Sequence, residues 1–340
     1  MPMTPTHFSP RRILVLHLGQ LAEVVLSLPA LNALRLRFPG SHITLAATSV
    51  GCQVVGMTTA VNDFLSVDST QLSEVAKPWV LYRWVRFLRG IRQGGYDFTI
   101  DLHSYGRTNI LAWLARAPVR LAARRQGHSL DLLFNLWPPK EDPRKHLVDR
   151  YFDVLRPLGI QPEDRRPRLR PHPDADARVE KRLRQKRHHQ GQLLIGIHPS
   201  SGDLPYRWPV ERFVDLGTRL IHNLEVDLLL LGGPRESKLV RDINRQLPGR
   251  TILLDDLTIP EIVSALTSCT VLISDDTGAA NLAAAVGTPV LGLGLSFPHT
   301  PIGHEHVIIR PGGVISISVD EAFTSASRVI TRDRTSTLFQ

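Results

Sequence analysis

LISDDTGAANLAAAVGTP, residues 272–289, runs from an apolar strand straight into an alanine-rich helix. Val271, Leu272 and Ile273 supply the strand, and Ser-Asp-Asp-Thr-Gly ends it. The small residues that follow let a helix sit close to a sheet. Thr277 and Gly278 fall at the helix N-terminus, where unpaired N–H groups and the helix dipole favour a diphosphate. Asp275 or Asp276 supplies the N-cap, and one of them can instead meet a sugar hydroxyl.

The same strand-then-helix alternation extends in both directions. Around this stretch, strands are expected at Leu193–His198, Val226–Leu231, Thr251–Leu254, Val271–Ser274, Pro289–Leu293 and His306–Ile309. Helices fall between them at Val210–Asn223, Ser237–Leu247, Ile259–Ser268 and Gly278–Val286. An earlier block repeats the plan. Its strands are Arg12–Leu18, His42–Thr48, Tyr96–Leu102 and Val119–Ala122. Its helices are Glu23–Arg37, Trp79–Gln93, one containing Leu111–Ala115, and Lys145–Leu158. Alternating β and α with short connections predicts α/β architecture: two Rossmann-like domains with parallel sheets facing a central cleft. The proline- and charge-rich stretch 161–175 reads as the exposed connection. The expected divisions are a disordered lead-in over 1–10, an N-terminal domain over 11–175, a C-terminal domain over 176–325 and a tail over 326–340.

At 340 residues with 42% hydrophobic content, the chain can bury two cores. No apolar run is long enough to span a bilayer, and the N-terminus does not read as a signal peptide. Two cysteines, Cys52 and Cys269, give neither a disulfide framework nor a metal knuckle, and a reducing cytoplasm fits. The net charge is +9. Basic patches at Arg116–Arg125, Arg165–Arg170 and Lys181–His189 imply an anionic partner. The third also reads as a solvated linker helix. No nucleic-acid motif accompanies them, so no nucleic acid is expected.

In open α/β sheets, ligands bind beyond the carboxyl ends of the strands. The first such loop is Leu18-Gly19-Gln20-Leu21-Ala22-Glu23. It is neither GxGxxG nor a Walker loop. Gly19 permits a sharp turn. Glu23 is either a favourable charge at a helix start or a general base. The second, HPSSGDLPYRWP, offers Ser200, Ser201 and Gly202 backbone donors, and Arg207 as a fork for phosphate; Arg207 also reads as a merely exposed cation. In LGGPRES, Glu236 accepts from a ribose hydroxyl or adenine amine, or caps the next helix.

Taken in order, RILVLHLGQLAEVVLSLPALNALRLRFPGSHITLA, YDFTIDLHS, HLVDRYFDVLRPLGI, IGIHPSSGDLPYRWPVERF, LLLGGPRE and ISDDTGAANLAAAVGTPVLGL resemble glycosyltransferase family 9, the ADP-heptose:lipopolysaccharide heptosyltransferases. The likeness runs over roughly residues 11–325. It implies the GT-B fold and inverting transfer without a metal or other cofactor. The donor is then an ADP-sugar on the C-terminal domain, met by Ser200, Ser201, Arg207, Glu236, Asp276, Thr277 and Gly278. The acceptor is an anionic lipopolysaccharide inner-core glycolipid, facing the Gly19-Gln20 loop, with Glu23 as the base. A phosphorylated, membrane-anchored acceptor also implies peripheral contact at the inner face of the inner membrane. Four places depart from the family pattern, one of them LSFPHTPIGH, residues 295–304, where a Gly-Pro-Thr segment is usual. Ala22-Glu23 stands where Gly-Asp is usual, Tyr206 where a lysine meets donor phosphate, and Asn281 where a histidine follows. Two alternatives keep the architecture: a weakened member that binds a nucleotide sugar or glycolipid without transfer, and a nucleotide-sugar epimerase.

Overall fold

A computed structural model of the chain describes residues 8–67, 87–186, 193–200, 202, 207–303, 306–309 and 312–337. The chain forms two compact units, Met1–Arg165 and Arg166–Gln340.

Unit 1 holds β1 (Arg12–His17), β2 (His42–Ala47), β3 (Asp63–Ser66), β4 (Phe98–Asp101) and β5 (Val119–Ala122). All are parallel, in the order β3-β2-β1-β4-β5. Unit 2 holds β6 (Leu194–His198), β7 (Asp227–Leu231), β8 (Thr251–Leu254), β9 (Val271–Ser274), β10 (Val290–Leu293) and β11 (Val307–Ile309). These are also parallel, in the order β11-β10-β9-β6-β7-β8. The central strands are apolar on both faces because helices cover both. Ile13 to Leu16 and Leu228 to Leu231 are fully buried.

The helices are α1 (Leu21–Arg37), α2 (Ser49–Val55), α3 (Gly106–Leu114), α4 (Leu147–Leu155), α5 (Pro173–Lys186), α6 (Val210–Leu224), α7 (Ser237–Asn244), α8 (Ile259–Thr267), α9 (Thr277–Ala285) and α10 (Val319–Thr337). In each sheet the winding reverses beside the first strand, between β1 and β4 and between β6 and β9. Those two switch points, at the carboxyl ends, are where the fold opens a crevice for ligands.

Four sequence expectations change. Residues 1–7 lie outside the described residues, but the end of the supposed lead-in is packed. Phe8 stacks edge-on against Phe38 and Phe98, and Ser41 Oγ donates to the Pro10 carbonyl. The units divide at Arg165–Arg166 rather than at 175–176. Leu169 N–H donates to the Ala285 carbonyl of α9, and α5 packs on α8, so this stretch belongs to unit 2. The expected tail from 326 is instead part of α10, with Ala322, Ala326, Val329 and Ile330 buried in the unit 2 core. The helix expected over Lys145–Leu158 is α4 followed by a 3-10 turn, Arg156–Leu158, that Gly159 ends in left-handed backbone (φ 74°). Of the helix expected over Trp79–Gln93, 79–86 lie outside the described residues and 87–93 are helical. The third basic patch runs along α5 to Lys186 around buried Leu183; residues 187–189 lie outside the described ones.

Candidate functional site

In unit 2, one buried carboxylate organises the switch point. Asp275 Oδ1 accepts from Ser200 N–H at 2.6 Å and Oδ2 from Trp208 N–H at 2.7 Å, so it holds both ends of the loop that carries Arg207. Burial pushes Asp275 up to about 6, opposed by those two hydrogen bonds. Trp208 is fully buried. It meets Phe213 edge-on at 4.8 Å and donates from Nε1 to the Ile317 carbonyl at 3.0 Å. The ambiguity between the two aspartates is thereby resolved: Asp276 is the N-cap of α9, accepting from Ala279 N–H at 2.8 Å.

Ala280 N–H takes the Asp276 carbonyl as its acceptor. Of the three N–H groups ahead of it, that of Ala279 is taken by Asp276, and those of Thr277 and Gly278 make no hydrogen bond among the described residues. The close approach of α9 follows from its sequence, since Gly278, Ala279, Ala280, Leu282, Ala283 and Ala285 are all buried. Asn281 is a brace, donating from Nδ2 to the Thr277 carbonyl at 2.8 Å and the His299 carbonyl at 2.7 Å.

Glu236 folds back on the preceding glycines. Its Oε2 accepts from Gly233 N–H at 3.1 Å, and it makes no side-chain cap to α7. A Cβ on Gly232 would lie 2.8 Å from Glu236 Cβ, so this close approach needs glycine. Arg207 Nε is buried without a hydrogen-bond partner. The residue lines an open hollow of ≈ 680 Å³ together with Arg235, Lys238 and Arg245. Ser201 and Tyr206 lie outside the described residues.

In unit 1, the first loop closes on itself. Gln20, the residue before α1, donates its N–H to Glu23 Oε2 at 2.8 Å. The other Glu23 oxygen takes no hydrogen bond among the described residues. A Cβ on Gly19 would lie 2.3 Å from Glu23 Oε2 and 2.7 Å from His17 Cε1, so glycine is what lets the carboxylate fold in. Ala22 lies inside the first turn of α1, without positive φ, so it needs no glycine.

Around Glu23 stand residues whose positions the sequence reading left without roles. His17 is fully buried at the end of β1. Its Nδ1 accepts from Gly19 N–H at 3.3 Å, which leaves the proton on Nε2 to be donated to Tyr151 Oη at 2.8 Å. Burial lowers His17 to about 3 and carries the Tyr151 hydroxyl well above its usual value, with Glu23 adding to the latter. The His103 ring lies 6.1 Å from that of His17 and 4.6 Å from that of Tyr105, and its Nδ1 is buried without a partner. Burial lowers it to about 4, against the pull of Glu23.

His103 is presented by a strained loop. Ser104 has φ 51°, in the left-handed region, which costs ~1 kcal/mol or more for an L-residue. Buried Asp101 holds it there. One Asp101 oxygen accepts from Ser104 N–H at 2.8 Å and the other from Asn109 Nδ2 at 2.7 Å. Burial pushes Asp101 up to about 6. The positive pole is Arg125, whose guanidinium lies 4.9 Å over the Tyr105 ring. Its Nε is 3.1 Å from the Glu141 carboxylate without forming a hydrogen bond. Arg150 Nε donates to the same Glu141 at 2.5 Å, so two partly buried cations share one anion.

His17 and His103 carried a readable signal: each sits at the carboxyl end of a strand flanking the switch point. Tyr151 comes from α4 and carried none.

Residues 84–303 match glycosyltransferase family 9 (heptosyltransferase). The chain belongs to this family. It is a glycosyltransferase with the GT-B fold of two parallel-sheet α/β domains. Over 298 residues it is 23% identical to lipopolysaccharide heptosyltransferase 3 of Escherichia coli, covering 85% of this chain and 83% of that protein. A glycosyl transferase family 9 structure from Veillonella parvula superposes with a TM-score of 0.82 at 21% identity, covering 97% and 99% of the two chains. E. coli heptosyltransferase WaaC, solved with ADP-2-deoxy-2-fluoro heptose, gives 0.75 at 19% identity, covering 93% and 99%. Among the described residues, no helix of this glycosyltransferase is long and apolar enough to cross a membrane.

Proposed function

We propose that this family 9 glycosyltransferase moves a heptose or a related sugar from an ADP-sugar to an anionic lipopolysaccharide inner-core acceptor, inverting the anomeric centre without a metal. It acts in the cytoplasm, in peripheral contact with the inner membrane. The observation that carries the reading is the pair of unused donors on Thr277 and Gly278 at the unit 2 switch point, with Glu236 beside the glycine turn. A diphosphate suits those donors, and Ser200, Ser201, Asp276 and Arg207 complete the proposed donor set. The names of the relatives, heptosyltransferases that include one solved with an ADP-heptose analogue, point to the same donor.

On the acceptor side, the Gly19-Gln20 loop holds Glu23. Its free oxygen takes the proton of an acceptor hydroxyl as that oxygen attacks the anomeric carbon. The bond to the diphosphate breaks, and ADP leaves with the electron pair. Its negative charge is met by the α9 donors and Arg207. Arg125, only half neutralised by Glu141, suits an acidic acceptor sugar.

Glu23→Gln tests the base directly, because the amide oxygen still accepts from Gln20 N–H. Transfer, read as ADP release with ADP-heptose and core-truncated lipopolysaccharide, should fall ~10²–10⁴-fold while donor affinity is retained. Unchanged transfer would remove Glu23 from the chemistry. The hydrogen bond that engages Glu23 with its own loop favours one second reading, a member that binds the nucleotide sugar without transferring it. That protein would bind donor and release no ADP with any acceptor. Family membership favours either reading over an epimerase.

A further inference from the structure

Helix α3 is apolar on both sides. Leu111 and Ala112 face the unit 1 core, in one buried cluster with Phe134. The opposite face carries Ile110 and Trp113, 45% and 49% exposed, one turn apart. A helix with apolar residues all round is normally covered.

The 3-10 turn Asp131–Leu133 packs beside α3 and enlarges the patch. Leu130 N–H donates to Asn109 Oδ1 at 2.7 Å, and Leu132 stands 97% exposed. Arg124 bridges from the Asp131 carboxylate, at 3.4 Å, to the Trp137 ring, at 5.7 Å. That indole is itself half exposed. More than half of the large apolar side chains exposed among the described residues fall between 105 and 137. Scattered apolar residues need no explanation, but a cluster does.

The charge around the patch is predominantly positive. Arg107 and Arg116, both exposed, stand at the two ends of α3, and exposed Lys140 lies beside Arg124. The nearby acid, Asp131, is taken up by Arg124 and by Ser129 Oγ at 2.6 Å. Arg116 has φ 60°, a left-handed position after a helix where glycine is usual. Leucine and tryptophan ringed by arginine and lysine match an interface of acyl chains beneath anionic headgroups. A second copy of this chain would instead set this cationic ring against itself.

We propose that this face of unit 1, built on α3 and the 130–137 segment, seats the enzyme on an anionic lipid bilayer. It deepens the peripheral contact proposed above by naming the face that makes it, and rests on the glycolipid reading for its purpose, since an acceptor fixed in a membrane is reached by an enzyme that lies on it.

The test is flotation of the full chain with phosphatidylcholine vesicles containing about one-third phosphatidylglycerol, without donor or acceptor. The protein should float at low salt and dissociate at about 0.5 M salt. Leu132→Glu should weaken binding at least ~10-fold, and Trp113→Ser with Leu132→Glu should abolish it. Arg107→Gln with Arg116→Gln should lower the salt dependence. Leu36→Glu, an equivalent change at a 78% exposed position on α1, should leave binding as it was. An unchanged melting temperature establishes that the Leu132 variant is folded, as its exposure requires.

Failure of the wild type to float at low salt overturns the proposal, as does a Leu132→Glu protein that floats normally. A dimer that Leu132→Glu turns into a monomer, by light scattering, would instead give the patch to a second copy. Transfer to a deacylated, water-soluble core acceptor is measured separately. Its absence alongside normal flotation counts against the acceptor reading and leaves the membrane face standing.

Discussion

The two switch points share a layout and differ in who supplies the negative charge. In each, a buried strand ends beside a helix N-terminus. At α9 a short aspartate caps one donor from the side, and Thr277 and Gly278 keep theirs unused. At α1 a longer glutamate reaches back to Gln20 N–H, one residue before the helix, so the protein's own carboxylate lies at that helix start. One methylene and one glycine separate the two outcomes. A helix start is thus a ready anion site only while the chain leaves it vacant. The N-terminal loop is better read as a holder for a carboxylate than as a nucleotide loop that has lost its glycines.

That contrast can be broken from either side. The largest effect is expected at Gly19. Gly19→Ala places a methyl 2.3 Å from Glu23 Oε2, too close for the carboxylate to stay, so transfer should fall ~10²-fold or more with donor affinity intact. Single-turnover kinetics against donor titration separates the two. If Gly19→Ala transfers normally, the folded-in carboxylate is incidental.

The counterpart in unit 2 is Asp275→Asn. The amide turns an NH2 toward one of two backbone donors, and losing that hydrogen bond costs ~1–3 kcal/mol. Donor affinity, read by calorimetry, should drop several-fold or more, with kcat at saturation much less affected. An equal loss of kcat would mean that Asp275 shapes more than the loop that carries Arg207.

A third effect is on stability in acid. His17 titrates near 3 when folded and near its ordinary 6.5 when unfolded. Between those values the unfolded chain binds the extra proton, so stability falls as pH drops, by up to ~1.4 kcal/mol per pH unit. Asp101 and Asp275 have the opposite sign. Raised to about 6, they bind protons in the folded state first, so their contribution weakens as pH rises toward 6. His17→Asn should therefore flatten the loss of melting temperature between pH 6.5 and 4. A steeper loss would reverse the assignment.

Much of this was legible in the chain because parallel strands buried on both faces read as short apolar runs. β5, β8 and β9 begin and end where the pattern places them. β3 was not legible. It is an edge strand with Leu65 as its only half-buried residue and Phe64 turned to solvent. α10 was hidden by polarity, since Ala322, Ala326, Val329 and Ile330 make a narrow buried stripe in a charged segment. At the candidate site, local chemistry found Glu23, Thr277 and Gly278 as groups at helix starts. It had no means to divide labour between Asp275 and Asp276. One faces the loop and the other the helix, and only the register of β6 against β9 separates them. Tyr151 meets His17 across more than a hundred residues of chain, beyond the reach of any local pattern.

The Ile317 carbonyl receives Trp208 Nε1 and, at 2.8 Å, Arg212. During synthesis, the segment that carries Arg207 waits for that acceptor until more than a hundred further residues have been translated. A nascent chain can close both sheets' early strands and still lack the anchor of Trp208 and Arg212. Chains that end before Ile317 would lack the acceptor that holds Trp208 and Arg212, on the segment next to Arg207.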